Sequence, residues 1–266
     1  MNDTHPAYGV LRPVTPLAGV LLQNNPSPMT LDGTNTWVLR APGAEECVVV
    51  DPGDGDEDHL RRVAEHGPVA VILLTHRHPD HAGGARRCAE LTGAPVRALD
   101  PSLVLGSEAV GPGEVIAAAG VELRVIPTPG HTSDSVSFLL TGPDADPAVL
   151  TGDTILGRGT TVIAHPDGDL GAYLESLRRI ADLPPGTALL PGHGPELPRA
   201  PEVARQYLAH RYERLEQVRA ALAQLGADAT PRQVVEIVYA EVDRRLWPAA
   251  EQSVRAQLDY LRGGRR

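Results

Sequence analysis

A single heptapeptide constrains the structure of this chain more than any other stretch of its 266 residues. Residues 75–81 read Thr-His-Arg-His-Pro-Asp-His, which places four possible metal ligands within six positions: His76, His78, Asp80 and His81. The apolar residues 71–75 are typical of a buried strand, and residues 82–91 are typical of a helix. Side chains two apart on an extended backbone point the same way, whereas those after the turn at Pro79 can face a second point. We therefore predict a metal site in this strand-to-helix loop.

The composition is that of a globular protein with a substantial core. The chain is 42% hydrophobic and its length suits one large domain with a small appendage. No apolar run reaches the roughly 18 residues of a membrane span, and no secretory signal is evident, so we expect a cytoplasmic protein without a membrane partner. Cys47 and Cys88 lack partners at metal-ligand spacing and are interpreted as core thiols. The net charge of −10 argues against broad, non-specific nucleic-acid binding.

The order of the elements predicts layered mixed sheets, because several consecutive strands are followed by helices. Strands are predicted at residues 37–39, 47–50, 71–75, 96–98, 121–126, 135–140, 148–150 and 188–190. Helices are predicted at residues 57–66, 82–91, 170–180, 201–225, 231–243 and 249–262. The prolines at 198 and 201 suggest a boundary between a hydrolase domain, 1–200, and an all-helical C-terminal subdomain, 201–266.

Three further possible ligands each follow a predicted strand. His131 stands in Pro-Gly-His-Thr, Asp153 in Leu-Thr-Gly-Asp, and His193 in Leu-Pro-Gly-His-Gly. The adjacent glycines allow sharp turns and close approach of the backbone. Together with the heptapeptide they supply five histidines and two aspartates, enough for two divalent ions. Imidazole and carboxylate without thiolate suit Zn²⁺, with Mn²⁺ or Fe²⁺ as alternatives.

The order His-x-His-x-Asp-His, His, Gly-Asp, Gly-His resembles the metallo-β-lactamase superfamily of α+β hydrolases, which fold as a four-layer αββα sandwich. The resemblance implies one ion held by His76, His78 and His131. It implies a second ion held by Asp80, His81 and His193, with Asp153 bridging the two. Asp51 matches a position that supports the metal loop without binding metal.

Three other segments are similar to the β-lactamase-like protein 2 family: residues 25–36, 155–161 (Ile-Leu-Gly-Arg-Gly-Thr-Thr) and 209–211 (Ala-His-Arg). This resemblance implies either a metal-dependent endoribonuclease acting on single-stranded RNA or a thioesterase that releases polyketide products. The commonest true β-lactamases carry cysteine where Asp153 stands, which argues against antibiotic hydrolysis. Relatives end in a winged helix, whereas this sequence reaches Gly-Gly-Arg-Arg at 263–266, so we expect a truncated, all-helical version without the wing.

The expected chemistry is attack by a hydroxide that bridges the metal ions on a phosphorus or an acyl carbon, since zinc can lower the pKa of bound water to about 7. Asp80 would also orient the nucleophile. The candidate proton donors to the leaving group are His165, Tyr173 and His210, and Arg158 is a candidate contact for an anionic substrate. His5, His59 and His66 are interpreted as surface histidines.

Among the activities that the resemblance implies, we favour a single-stranded RNA endonuclease. The alternative is a thioesterase or ester hydrolase acting on polyketide-type acyl thioesters. Glyoxalase II-like chemistry ranks third, because no glutathione-binding tail is found. A partner-binding scaffold with a vestigial site is the non-enzymatic alternative, but the complete ligand set argues against it. The sequence does not determine the oligomeric state.

Overall fold

Two β-sheets face each other in the computed structural model, which describes residues 7–263. The first sheet has the strand order β1-β2-β3-β4-β5-β6 and the second β11-β10-β9-β8-β7. The first sheet's strands are β1 Arg12–Thr15, β2 Ala18–Leu22, β3 Asn35–Leu39, β4 Cys47–Val50, β5 Val69–Leu73 and β6 Val96–Arg97. The second sheet's strands are β7 Val115–Ala118, β8 Val121–Pro127, β9 Val136–Thr141, β10 Ala148–Gly152 and β11 Ala188–Pro191.

Seven α-helices accompany the sheets in the described part of the chain. They are α1 Glu57–Ala64, α2 Pro79–Ala82, α3 Ala85–Thr92, α4 Leu170–Ala181, α5 Ala200–Leu225, α6 Pro231–Val238 and α7 Trp247–Gly263. Short 3-10 turns lie at Pro101–Leu103 and Arg244–Leu246. None of the helices among residues 7–263 is both long enough and apolar enough to cross a lipid bilayer.

The main core lies between the two sheets. Leu39 and Leu73 of the first sheet belong to the same buried cluster as Phe138, Leu123 and Leu150 of the second. All five are at most 1% exposed. Successive side chains of a strand point to opposite faces of its sheet, so Val48 and Val50 of β4 enter this layer, whereas Cys47 and Val49 face the helices outside it.

Helices cover the outer face of each sheet. Leu60 of α1 and Cys88 of α3 are buried with the outer residues of β4 and β5. Leu174 of α4 and Tyr207 of α5 are buried with Val149 and the neighbouring residues of the second sheet. The predicted four-layer αββα sandwich is therefore confirmed. Both cysteines are free and buried, as interpreted from the sequence, and burial raises the pKa of Cys88 to about 12.

Some elements differ from the prediction. Strands β1, β2 and β7 were not predicted. The helix predicted over residues 82–91 is interrupted at Gly83 and Gly84, where the backbone packs tightly against the loop after β4. A Cβ at Gly84 would lie 2.3 Å from the carbonyl oxygen of Asp54. The helix predicted over 231–243 ends at Val238.

Helices and the turns that join them make up the described part of the C-terminal region, residues 200–263, which contains no strand and hence no β-wing. Helix α5 joins two clusters: Ala204 and Leu215 pack with α4, whereas Val218 and Ala221 pack with α6 and α7. The predicted boundary between residues 200 and 201 falls within the first turn of α5, and it stays a prediction.

The interpretation of His59 as a surface residue is wrong. It lies on the inner face of α1 beside Leu60, is 5% exposed, and its Nε2 lies 2.9 Å from Thr36 Oγ1. Since Thr36 Oγ1 donates to the carbonyl of Asp51, His59 acts as the donor in this pair. Burial lowers the pKa of His59 to about 4. His66 is half-buried, and His5 lies outside the described residues.

This histidine should make the protein sensitive to mild acid. Between pH 6.5 and about 4 the unfolded chain takes up a proton that the folded His59 does not, so stability falls as pH decreases through that window. The full loss is roughly 3 kcal/mol. Chemical denaturation of metal-free wild type and His59→Gln across this range should give a shallower pH slope for the variant. Parallel curves would contradict the assignment.

Candidate metal centre

The predicted ligands lie just after strand ends, at one edge of the sandwich. β5 is followed by the loop with His76 and His78, and β10 by Asp153. β11 is followed by His193, and the loop between β8 and β9 carries His131. The pairs β4–β5 and β10–β11 are parallel, so their carboxyl ends meet at the same edge of each sheet. Residues distant in sequence thus converge between the two sheets.

The seven predicted ligands form two groups, each with its ligand atoms within 4.8 Å of one another. The first contains His76, His78, His131 and Asp153, and the second contains Asp80, His81 and His193. In the first group His78 Nδ1 lies 3.1 Å from His76 Nε2 and 3.0 Å from His131 Nε2. In the second, His193 Nε2 lies 3.1 Å from both Asp80 Oδ2 and His81 Nε2. Asp153 stands between them, with Oδ2 3.6 Å from His131 Nε2 and Oδ1 3.4 Å from His193 Nε2.

These separations fit metal ions. In a tetrahedral zinc site with Zn–N bonds of about 2.0–2.1 Å, ligand atoms lie about 3.3 Å apart. The buried Oδ1 of Asp153 has no hydrogen-bond partner, which is expected of a carboxylate oxygen that binds a cation. Glycine at 192 leaves this space open, because a Cβ there would lie 2.6 Å from His81 Cε1 and 2.8 Å from Asp153 Oδ1. The donor set and its geometry therefore suit a pair of divalent ions.

Hydrogen bonds outside the two groups fix four of the imidazoles, the first being His76, whose Nδ1 lies 3.0 Å from Thr75 Oγ1. His131 Nδ1 donates to the carbonyl of Val162 at 2.7 Å, and His193 Nδ1 to that of Gly33 at 3.1 Å. His81 Nδ1 lies 2.9 Å from Asp51 Oδ2. Each bond orients its ring so that Nε2 faces into its group, the arrangement common around metal-binding histidines.

Asp51 supports the loop in the way the sequence predicts. Its Oδ1 accepts from Thr75 N at 2.8 Å and its Oδ2 from Thr75 Oγ1 at 2.7 Å, in addition to the contact with His81. The residue is 1% exposed and adopts a left-handed φ of +53°. Such a conformation is uncommon outside glycine and persists because the surrounding bonds hold it.

The histidines of the two groups differ in the direction of their pKa shifts. Burial lowers the pKa of His76 well below its usual value and also lowers that of His131, so both imidazoles stay neutral and keep a lone pair. Burial also acts on His81 and His193, but the carboxylates around them, Asp153 above all, outweigh it and raise the pKa of each. For Asp153, burial is outweighed by His193 and His81, which hold its pKa well below the usual value.

The three candidate proton donors lie in different places. His210 lines a cavity beside the two groups, and its Nδ1 is buried without a hydrogen-bond partner. Tyr173 is fully buried and its hydroxyl donates to the carbonyl of Thr154 at 2.7 Å. His165 Nε2 pairs with Asp259 of α7 at 3.0 Å. Neither Tyr173 nor His165 lines the cavity, so the geometry favours His210 among the three.

The cavity has a volume of about 310 Å³ and opens on His131 and Asp153. Its walls come from several distant parts of the chain, and most of the lining surface is apolar. They include Met29 and Leu31 before β3, Leu156 and Val162 after β10, and Tyr239, Val242, Leu246, Ala249 and Ala250 near the C-terminus. The sequence does not mark these apolar residues as parts of a cavity wall, although the family-like segments 25–36 and 155–161 contain several of them.

Arginines at the cavity already have partners within the protein. Arg158 forms a bidentate ion pair with Asp32, with its Nη2 2.8 Å from Asp32 Oδ1. Arg211 donates to the carbonyl of Thr161 and stacks on the ring of Tyr173. Arg214 Nη1 donates to the carbonyl of Val238 at 2.7 Å. The cavity wall thus combines an apolar surface with guanidinium groups that are engaged elsewhere.

Comparison with known proteins agrees with this geometry. Residues 29–193 match a family model described as the metallo-beta-lactamase superfamily, and residues 230–262 match the beta-lactamase associated winged helix domain. The beta-lactamase-like protein 2 homolog of Drosophila melanogaster is 32% identical, over 91% of this chain and 86% of its own. An atrochrysone carboxyl ACP thioesterase of Aspergillus fumigatus is 34% identical, over 82% of this chain and 72% of its own. The crystal structure of a beta-lactamase domain protein from Burkholderia ambifaria superposes with a TM-score of 0.79 at 26% identity, over 98% of this chain and 91% of that one.

Proposed function

The chain belongs to the metallo-β-lactamase superfamily, and from that premise we propose that this hydrolase uses two divalent metal ions to cleave acyl thioesters. The observation that carries the proposal is the apolar cavity that opens on His131 and Asp153. Burial of acyl methylenes there would contribute about 0.8 kcal/mol each. The thioesterase name of the fungal relative supports the same substrate class.

The ions are assigned to the two groups of ligands. His76, His78 and His131 hold one, Asp80, His81 and His193 hold the other, and Asp153 lies between them. We propose zinc, with manganese or iron as alternatives, because imidazole and carboxylate ligands suit all three. When bound, such a pair supplies an activated water near neutral pH and positive charge for the developing oxyanion.

The protein's own residues orient the reaction. Asp80, held 3.1 Å from His193, places a carboxylate oxygen at the edge of the site, where it can accept a proton from the attacking water. The acyl chain lies in the cavity, with its carbonyl carbon beside Asp153. A departing thiolate has a pKa of about 8.5 and needs little assistance from an acid. His210 remains available to protonate it.

Cleavage of single-stranded RNA, which the sequence favours, is the second candidate, because Arg158, Arg211 and Arg214 line the same cavity. Phosphodiester binding would require these guanidiniums to exchange internal partners for phosphate oxygens. A departing alkoxide would also need a strong proton donor, for which the cavity offers His210 alone among the three histidine and tyrosine candidates. These two requirements place RNA second, and it stays a prediction.

Thiol release from hexanoyl-N-acetylcysteamine and hexanoyl-pantetheine tests the proposal. Protein loaded with zinc or manganese should hydrolyse both, and Asp80→Asn should not. The same preparations are then assayed on labelled single-stranded RNA, with an Asp80→Asn/His193→Ala double variant to exclude contaminating nucleases. RNA cleavage by wild type alone, without thioester hydrolysis, would replace the proposal by the second candidate.

The cavity wall should set acyl-chain preference. Ala249 is half-buried on α7 and lines the cavity, so Ala249→Phe would fill apolar volume that a long acyl chain needs. Loss of about two buried methylenes should raise KM for octanoyl thioesters about tenfold. KM for acetyl thioesters should not change. Ala223→Phe, at an exposed position of α5, is the matched control, and equal effects of both variants would contradict this role.

A further inference from the structure

We propose that Arg77, the residue between His76 and His78, is a positioning residue that selectively maintains the first metal group. The inference rests on the metal assignment above. Whereas its neighbours face the interior, Arg77 reaches across the surface to a loop that carries another ligand. Its Nε donates to Asp134 Oδ1 at 3.0 Å and its Nη2 to Ser133 Oγ at 3.1 Å.

Three carboxylates surround this guanidinium. Besides Asp134, Asp100 and Asp167 each place an oxygen 3.7 Å from it. Asp167 in turn accepts from the backbone N–H of Ser133 at 2.9 Å and from its hydroxyl at 2.7 Å. Arg77 therefore links the heptapeptide, the segment just after His131, and the loop before α4 in one network.

The network matters because His78 lacks the support that other imidazoles have. The other four imidazoles, His76, His81, His131 and His193, each have a ring nitrogen bonded outside the two groups. Among residues 7–263, the only hydrogen-bonding contacts of the His78 ring are those of Nδ1 with His76 and His131. The orientation of His78 thus depends on its backbone, which Arg77 fixes relative to the His131 loop.

Energetics favour this role over a simple surface ion pair. Exposed ion pairs contribute little to stability. Asp134, however, is only 6% exposed, and a buried carboxylate without its cation is costly. Without Arg77 we expect the His131 loop to shift so that Asp134 reaches water. The shift would separate His131 from His78 and leave Asp80, His81 and His193 in place.

The test measures each metal group separately, in variants that keep only one of the two groups intact. In a His193→Ala background the first group is intact, and in a His78→Ala background the second is intact. Zn²⁺ affinity, measured by competition with a chromophoric chelator, should fall about tenfold when Arg77→Met is added to the first background. It should not change when Arg77→Met is added to the second. Absorption of bound Co²⁺ should change in the first background alone.

Two further variants separate positioning from stability. Arg87→Met is the matched control, because Arg87 is likewise 41% exposed and pairs with two acids, Glu57 and Glu90, on the outer helices. It should leave both affinities unchanged. Arg77→Lys should restore part of the affinity, since it keeps a charge for Asp134.

Equal losses in both backgrounds, or no loss in the first, would overturn the inference. Failure of His193→Ala to bind any Zn²⁺ would overturn the metal assignment and this inference together.

Discussion

Replacement of Asp153 by asparagine is expected to lower kcat/KM for acyl thioester hydrolysis by about 10³-fold, equivalent to about 4 kcal/mol of transition-state stabilisation. Asp153 stands between the two groups of ligands, 3.6 Å from His131 and 3.4 Å from His193. An amide would remove the negative charge that the proposed pair of cations would share. It could also place an N–H donor where Oδ1 now has no partner.

The loss should be visible in metal content as well as in rate. Wild-type protein should retain two ions per chain after gel filtration, and Asp153→Asn fewer. Asp146→Asn, at an exposed turn before β10, makes the same chemical change away from the site and should leave both quantities unaltered. Full activity and two retained ions in Asp153→Asn would show that this carboxylate is not needed between the metals.

Replacement of Asp51, which is not assigned as a metal ligand, is expected to cause a large loss of both stability and metal affinity. Asp51→Ala would leave Thr75 N–H, Thr75 Oγ1 and His81 Nδ1 without their buried acceptor. An unsatisfied buried group costs about 1–3 kcal/mol, so the metal-free protein should lose roughly 3–5 kcal/mol of unfolding free energy. Metal affinity at the second group should also fall about 10–100-fold, because His81 loses the bond that fixes its ring.

Urea denaturation of metal-free protein measures the first effect and chelator competition the second. Asp56→Ala is a useful comparison, since Asp56 accepts from His59 N as the N-cap of α1 and its removal should cost about 1 kcal/mol. It should not alter metal affinity. Asp51→Asn keeps one acceptor oxygen and should lie between the wild type and Asp51→Ala. Equal stabilities of Asp51→Ala and Asp56→Ala would contradict the supporting role of Asp51.

The sequence was most informative where chemistry and strand ends coincide. Each predicted ligand follows an apolar run, and parallel strand pairs bring such ends together, so the convergence of His76, Asp153 and His193 could be predicted without coordinates. Asp51 could be assigned by resemblance, and its bonds to Thr75 and His81 agree with that assignment.

Other features depend on tertiary packing and left little trace in the sequence. The cavity combines Met29, Leu156 and Leu246, which lie far apart in the chain and carry no pattern that separates them from core residues. His59 is interpreted from the sequence as a surface residue, yet helix α1 directs its ring toward Thr36. The burial of Tyr173 likewise became apparent only from its contact with Thr154.

The most direct test of the central claim combines metal content with thioester hydrolysis in one preparation. Wild type and the Asp80→Asn/His193→Ala variant are purified identically, and bound metals are counted before hexanoyl-pantetheine is added. We expect two ions and hydrolysis for wild type, with loss of an ion and of activity in the variant. Wild type that carries two ions but hydrolyses no acyl thioester, or hydrolysis at the same rate by both proteins, would contradict it.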